Sequence, residues 1–305
     1  MSRFIVRRLV SMLLVLWVVT TLTFALMKAI PGGPFTAEKR LPPEVLVNLE
    51  ARYRLNDPLW KQYLDYLGNM ARFDLGPSFK YEDLTVNDII REGFPVSAEL
   101  GVLALLFALA VGVPAGLVSA LRQYSTADYI SMLWALLGVS IPSFLLATLF
   151  IYVFGLRLHV LPAGGWGTPA HVLLPAIALG MYPTGFIARL TRSSMLEVIR
   201  QDYVRTARAK GLAEIVVTYR HALKNAIIPV VTYLGPITAA VLTGSFVVER
   251  IFAIPGLGRH FVTSIYNRDY TVIMGTTVFY SVFLVGMNLV VDVAYGFLDP
   301  RIRFD

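Results

Sequence analysis

Residues 201–225 read QDYVRTARAKGLAEIVVTYRHALKN, a basic segment that lies between two long apolar stretches of the chain. Apolar side chains recur at helical spacing before Gly211, at Val204 and Ala207, and again after it, at Ile215 and Tyr219. Glycine adopts a positive φ at low cost, so Gly211 is a suitable residue to end the first helix. The pattern predicts a helix that continues outward from Ser193 to Arg208, a glycine turn and a second helix.

The segment has two interpretations that its spacing alone does not separate. Apolar side chains on one side of a helix pair, surrounded by cations, fit a groove on a partner protein. A cationic loop between membrane helices also fixes topology or meets anionic lipid without any protein partner.

The remainder of the chain is dominated by apolar stretches that contain no Asp, Glu, Lys or Arg. Each has about the ~20 residues that a helix needs to cross a bilayer, and backbone groups in lipid must pair within the helix. Buried core helices of a soluble protein do not account for this number and length. We therefore predict an all-α integral membrane protein with six transmembrane helices. The stretches are Leu9–Met27, Leu100–Leu121, Tyr129–Leu156, Val172–Ala188, Asn225–Val248 and Tyr270–Val291.

Charge sets the predicted orientation. The chain is 56% hydrophobic and only 15% charged, and its net charge of +7 is distributed unequally between the two sides. The positive-inside rule then places both termini in the cytoplasm, and the charge is not interpreted as nucleic-acid binding. The predicted inner cations are Arg3, Arg7, Arg8, Arg122, Arg189, Arg192, Arg200, Arg205, Arg208, Lys210, Arg220, Lys224, Arg301 and Arg303, and the outer ones are Arg157, Arg250, Arg259 and Arg268.

Two regions follow from this topology. Residues 1–97 hold a first span, which we expect to be retained because its apolar run exceeds a signal-peptide core, and an extracytoplasmic region with amphipathic pieces. Residues 98–305 hold five further spans and a cytoplasmic loop at about 190–226. The spans carry many Gly and Pro residues, which suit either a moving bundle or ordinary membrane-helix packing.

Several function classes are disfavoured. The chain lacks G-x-x-x-x-G-K-[ST], H-E-x-x-H and G-x-S-x-G, so we predict neither a nucleotide-binding nor a catalytic site. It has no cysteine, and its four histidines show no metal-ligand spacing. An ion-coupled secondary transporter would keep ionisable groups inside the membrane, and the centres of the six stretches have none. A purely structural anchor has little use for the Gly and Pro content.

The basic segment resembles the EAA-x3-G-x9-I-x-L-P motif of transmembrane subunits in ATP-binding-cassette importers. Arg205-Thr206-Ala207 stands in the place of EAA, Gly211 matches, and His221-Ala222-Leu223-Lys224 stands in the place of I-x-L-P. The sequence of nearly the whole chain is similar to those of the B-type permeases of oligopeptide, dipeptide and nickel importers. The matching pieces are Phe4–Leu9, Asp74-Leu75-Gly76, Leu161–Gly165, Ala188–Arg192, YVRTARAKGL, RHALKNAIIPV, Gly244-Ser245, Pro255–Gly258, Asn267–Tyr270 and Asp299-Pro300-Arg301.

This resemblance implies the type I importer permease fold in the cytoplasmic membrane of a prokaryote. It implies a homologous second permease, two cytoplasmic ATPases that bind ATP and Mg, and an extracytoplasmic solute-binding protein, with no cofactor in this chain. The implied cargo is an oligopeptide or dipeptide, with nickel, glutathione or other peptide-like cargo left open.

The resemblance also implies two groups of functional residues. The residues expected to couple to the ATPases are Arg205, Thr206, Ala207, Arg208, Ala209, Lys210, Gly211, Leu212, Tyr219, His221 and Leu223. Hydroxyl residues in the spans are candidates to line the path, or they pack helices together: Ser140, Ser143, Thr238, Thr243 and Ser245.

Overall fold

The computed structural model describes residues 2–30, 33–35, 43–81, 83–242 and 246–298 of the chain. Within these ranges the regular structure is helical, apart from one isolated bridge between Pro77 and Thr85. The α-helices are α1 (Ser2–Ala29), α2 (Pro43–Arg52), α3 (Leu59–Ala71), α4 (Val86–Leu121), α5 (Thr126–Ser140), α6 (Ser143–Phe150), α7 (Pro169–Val198), α8 (Asp202–Ala209), α9 (Glu214–Val216), α10 (Lys224–Ala226), α11 (Ile228–Leu242), α12 (Phe246–Ile251), α13 (Leu257–Asn267) and α14 (Tyr270–Leu298). Two π-helical segments, Ile151–Arg157 and Val217–Leu223, continue α6 and α9.

The predicted membrane spans are present. Five helical stretches in the described ranges are long and apolar enough to cross a membrane, and a bent pair raises the number to six. The prediction of an all-α protein with six spans is therefore confirmed, with one change in the third span. The five are Val6–Ala29, Val86–Leu121, Pro169–Val198, Ile228–Ile251 and Tyr270–Val290, and the bent pair is Thr126–Ser140 with Ser143–Arg157.

The third span is not one straight helix. Its two halves meet at an angle of 103°, and the break falls at Ile141-Pro142. Proline disfavours the helical conformation of the residue before it, and Ile141 is extended, with φ −89° and ψ 122°. Both halves pack against α7, and the bend buries Leu146 and Ala147.

The centre of the bundle is the pair α4 and α7, which pack along most of their length. Glycines allow the two backbones to approach closely. A Cβ on Gly112 would lie 2.8 Å from the carbonyl oxygen of Thr184, and one on Gly180 would lie 2.7 Å from that of Ala104. These glycines therefore have a packing role in this conformation.

We call the end of the bundle where α4 and α14 begin the outer end, because the charge distribution places it outside. A fully buried carboxylate, Glu249, lies there between α4 and the start of α13. The Ser97 hydroxyl donates to Glu249 Oε1 at 2.9 Å and accepts from the Leu257 amide at 2.9 Å. A Cβ on Gly258 would lie 2.9 Å from Glu249 Oε2, and one on Gly256 would also contact it. The glycines of Pro255–Gly258 therefore leave room for this side chain at the N-terminus of α13.

A second buried carboxylate joins the outer region to the start of α14. Asp269 accepts hydrogen bonds from the Ser78 hydroxyl, the Phe79 amide at 3.2 Å, the Thr271 hydroxyl at 2.9 Å and the Val272 amide at 3.3 Å. Residues almost two hundred positions apart are thus held together. The sequence piece Asn267–Tyr270 therefore has a structural role, because its Asp269 joins the region before α4 to the start of α14.

Candidate functional site

The basic segment forms a platform at the inner end of the bundle, where α4 and α7 end. Its inward-facing side chains join an apolar cluster that we call the inner cluster. This cluster includes two residues from the end of α4 and one from α7, so the platform is packed directly on the two central helices. Its buried members are Leu117, Ala120, Met195, Val204, Ala207, Val217, Ala222 and Ala226.

The chain turns before it enters the platform. The prediction of one helix running from Ser193 to Arg208 is wrong, because α7 ends at Val198 and α8 begins at Asp202. The Gln201 amide donates to the Val198 carbonyl at 3.0 Å, and Gln201 is extended, with φ −72° and ψ 149°. After this turn Val204 joins the same buried cluster as Met195.

The glycine turn is present as predicted. Gly211 has φ +77°, and its amide donates to the Arg208 carbonyl at 2.9 Å. The Leu212 amide donates to the Ala207 carbonyl at 3.4 Å, so α8 ends through hydrogen bonds that satisfy its last carbonyls. Beyond the two neighbouring residues, no atom in the described part of the chain lies within 4 Å of the position that a Gly211 Cβ would take, so the backbone conformation is what disfavours larger residues there.

A row of apolar side chains faces away from the bundle on the second arm of the platform. Leu212, Ile215 and Tyr219 are spaced three and four residues apart and are 39%, 67% and 56% exposed. Ile215 and Tyr219 are four residues apart on the helical arm that follows the turn, which places them near each other on its surface, and Leu212 lies in the link between Gly211 and α9. We call these three residues the exposed row. Their exposure at a polar surface, beside a rigid inner cluster, is typical of a protein-binding face.

Cations surround the exposed row. Arg205, Arg208, Lys210 and Arg220 are all exposed. The Arg208 guanidinium donates to Glu214 through Nε at 2.7 Å and through a terminal nitrogen at 3.3 Å, which bridges the glycine turn. Exposed ion pairs of this kind contribute little to stability, so the cations remain able to contact a partner.

The other predicted coupling residues divide between the two sides of the platform. Ala207 is buried and packs within the inner cluster, so its side chain does not face outward. The Thr206 hydroxyl donates to the Asp202 carbonyl at 2.9 Å, and Ala209 is exposed. His221 and Leu223 are half-buried, and Leu223 packs against the inner cluster.

An ion pair that the sequence reasoning missed fixes α5 to the base of the platform. Arg192 donates to both oxygens of Asp128, each at 2.9 Å. Asp128 also accepts from the Ser119 hydroxyl and from the Tyr124 amide at 2.9 Å. Its side chain is only 4% exposed. This carboxylate therefore links α4, α5 and α7. Its position in the first turn of α5, after the N-cap residue Ser125, was the available sequence signal.

The described candidate path residues lie on three different helices. Ser140 is exposed at the end of α5, and Ser143 is half-buried just beyond the bend at Pro142. Thr238 is half-buried on α11. Thr243 and Ser245 lie outside the described residues.

Comparison with known proteins places the chain among membrane transport components. Residues 112–304 match the family described as "Binding-protein-dependent transport system inner membrane component". Residues 1–101 match the family described as "Binding-prot-dependent transport system membrane comp, N-term".

Curated relatives extend this similarity over the full chain. The "Dipeptide transport system permease protein DppB" of Bacillus subtilis is 53% identical over 99% of this chain and 98% of that protein. The "Oligopeptide transport system permease protein OppB" of Salmonella typhimurium is 46% identical over 100% of both chains. The DppB protein of Lactococcus lactis is 42% identical over 99% of this chain and all of that protein.

Proposed function

Because this chain belongs to the family of binding-protein-dependent transport system inner membrane components, we propose that it is the permease subunit of an ATP-driven importer for oligopeptides or dipeptides. The chain spans the membrane and supplies part of the path. It performs no chemistry itself, since it lacks a nucleotide-binding or catalytic motif.

The observation that carries the coupling part of this proposal is the exposed row. A loop that only set topology would need cations but would not need Leu212, Ile215 and Tyr219 in contact with water. An apolar row edged by cations fits a groove with an apolar floor and an acidic rim. We assign that groove to a cytoplasmic ATPase, which binds ATP and Mg.

The mechanism follows from how the platform is attached. When two ATPases close on ATP, the groove displaces the glycine turn and the exposed row. The inner cluster transmits this displacement to α4 and α7, and the pair Asp128–Arg192 carries it to α5. A densely packed cluster responds as a unit rather than by gradual deformation, so the bundle changes between inward-open and outward-open arrangements. ATP must favour one arrangement by a few kcal/mol to shift the population usefully.

The remaining partners complete the cycle. A homologous second permease forms the other half of the path in the cytoplasmic membrane of a prokaryote. An extracytoplasmic binding protein delivers the peptide to the outer end. Nickel chelates or glutathione are the alternative cargoes, because the binding protein rather than this chain has the larger share in selecting them.

Reconstitution tests the class and the cargo together. The chain is placed in proteoliposomes with the second permease, the ATPases and the binding protein that purify with it. We expect uptake of labelled dipeptides and pentapeptides to require ATP hydrolysis and to be unaffected by collapse of the proton gradient. Peptide uptake that is driven by an ion gradient without ATP would contradict the proposal, and uptake of nickel without peptides would change the cargo.

A further inference from the structure

A cationic cavity of about 710 Å³ lies at the inner end between α5 and α7. Its cationic lining comes from Arg189, Arg192 and Arg200, and Met132 and Leu196 form an apolar wall. Arg189, Arg192 and Leu196 are three and four residues apart, so they share one face at the end of α7, and Arg200 reaches the cavity from the turn that follows the helix. The coupling mechanism uses this cavity only through the pair of Arg192 with Asp128.

The charges in the cavity leave two arginines available. Arg192 is neutralised by Asp128, and Glu197 is the acidic residue of the lining. Arg189 and Arg200 form no ion pair within the described part of the chain. The Arg189 guanidinium lies 5.9 Å from the centre of the Phe186 ring, which orients it while it stays exposed. The two free cations and Glu197 together give one net positive charge, which matches a monoanionic phosphodiester.

The neighbouring surface is suited to acyl chains. Tyr129 and Leu136, which lie three residues before and four residues after Met132 on α5, are 65% and 52% exposed. Exposed apolar and aromatic side chains next to a basic pocket, at the level where a membrane helix leaves the bilayer, are typical of a lipid-binding site. An arginine pair binds a phosphate through several N–H donors at once, which lysine does not.

We propose that this cavity binds the phosphate of an anionic phospholipid of the inner leaflet, with Arg189 and Arg200 as its ligands and the α5 surface beside its acyl chains. The bound lipid would fill the space between α5 and α7, next to the ion pair that links these helices. The same phosphate chemistry is present in free inorganic phosphate, so the test separates the two sources.

The test measures binding of fluorescent phosphatidylglycerol to the purified full chain in detergent, with phosphatidylcholine and inorganic phosphate as competitors. We expect phosphatidylglycerol to bind at least ten-fold more tightly than phosphatidylcholine. The double variant Arg189→Gln/Arg200→Gln should weaken phosphatidylglycerol binding by roughly ten-fold, because hydrogen bonds between ions are lost. The double variant Arg205→Gln/Arg220→Gln removes the same charge from the platform surface and should change binding less than about two-fold.

Three outcomes would overturn the proposal. One is equal binding of the two lipids by the unmodified chain, as expected if these arginines serve a protein partner. A second is equal binding by the two double variants. The third is displacement of phosphatidylglycerol by inorganic phosphate at similar concentration, which would indicate a site for a free anion. If the Gln variant does not fold, Arg189→Lys/Arg200→Lys and the salt dependence of binding to the unmodified chain provide the same comparison.

Discussion

The outer end of the bundle and the surface of the platform use charge in opposite ways. At the outer end Glu249 and Asp269 are fully buried and are bound by residues distant in sequence. At the inner end the platform exposes its cations and its apolar row, and its ion pairs lie in water. The difference indicates that the buried carboxylates of the outer end stabilise this chain, whereas the exposed ion pairs of the platform contribute little to its stability.

The largest effect is expected from Asp269→Ala at the outer end. The substitution leaves several buried donors unpaired, and the free energy of unfolding should fall by about 3 kcal/mol. Unfolding of the purified chain in mixed micelles measures this change. Ser281→Ala serves as the control, because it removes a hydroxyl that donates only within α14. Equal stability of the two variants would show that Asp269 does not hold the outer region in place.

Ile215→Ser tests the inner end, where we expect binding to a partner to weaken and stability to stay unchanged. Ile215 is exposed, so the free energy of unfolding should change by less than about 0.5 kcal/mol. The affinity for the ATPase should fall by roughly ten-fold, since apolar side chains at the centre of an interface dominate binding. Val47→Ser is the matched control, because Val47 is 59% exposed on α2. If both variants bind the ATPase like the unmodified chain, the exposed row is not the contact.

Gly211→Ala measures the cost of the glycine turn. The positive φ is unfavourable for alanine, so stability should fall by about 1 kcal/mol, although nothing blocks the new methyl group. Uptake in the reconstituted complex should fall as well, because the two arms of the platform change their angle. Gly286→Ala, in an open position within α14, should leave both stability and uptake at least as high. Unchanged uptake in Gly211→Ala would remove the angle of the turn from the mechanism.

The smallest effect is expected from Glu214→Gln, which breaks the exposed pair with Arg208. Its stability should stay within about 0.5 kcal/mol of the unmodified chain. Asp57→Asn, which breaks the exposed pair of Asp57 with Lys61 on the outer side, should behave alike. If Glu214→Gln alone lost more stability than this, the pair of Glu214 with Arg208 would fix the glycine turn. The exposed charges of the platform would then stabilise the chain, as the buried charges of the outer end do.

Part of the candidate site could be predicted from the sequence because it depends on local rules. Gly211 between two helical patterns indicates a turn, and the turn has the expected positive φ. The break at residues 199–201 carries no Gly or Pro, and it lets Val204 and Ala207 of α8 join the inner cluster that the ends of α4 and α7 begin. The sequence also did not predict which side chains face outward. Ala207 and Tyr219 are both in the predicted coupling set, yet Ala207 is buried and Tyr219 is exposed.

The sequence by itself determined the helical class, the number of spans and the place of the inner platform. Hydrocarbon thickness and backbone pairing leave an apolar stretch of that length no other regular structure. Tertiary structure alone decided the 103° angle at Pro142, the partners of Asp128, Glu249 and Asp269, and the cavity between α5 and α7. These features join residues far apart in the chain, and the free energy of such contacts depends on how whole helices pack rather than on any local pattern.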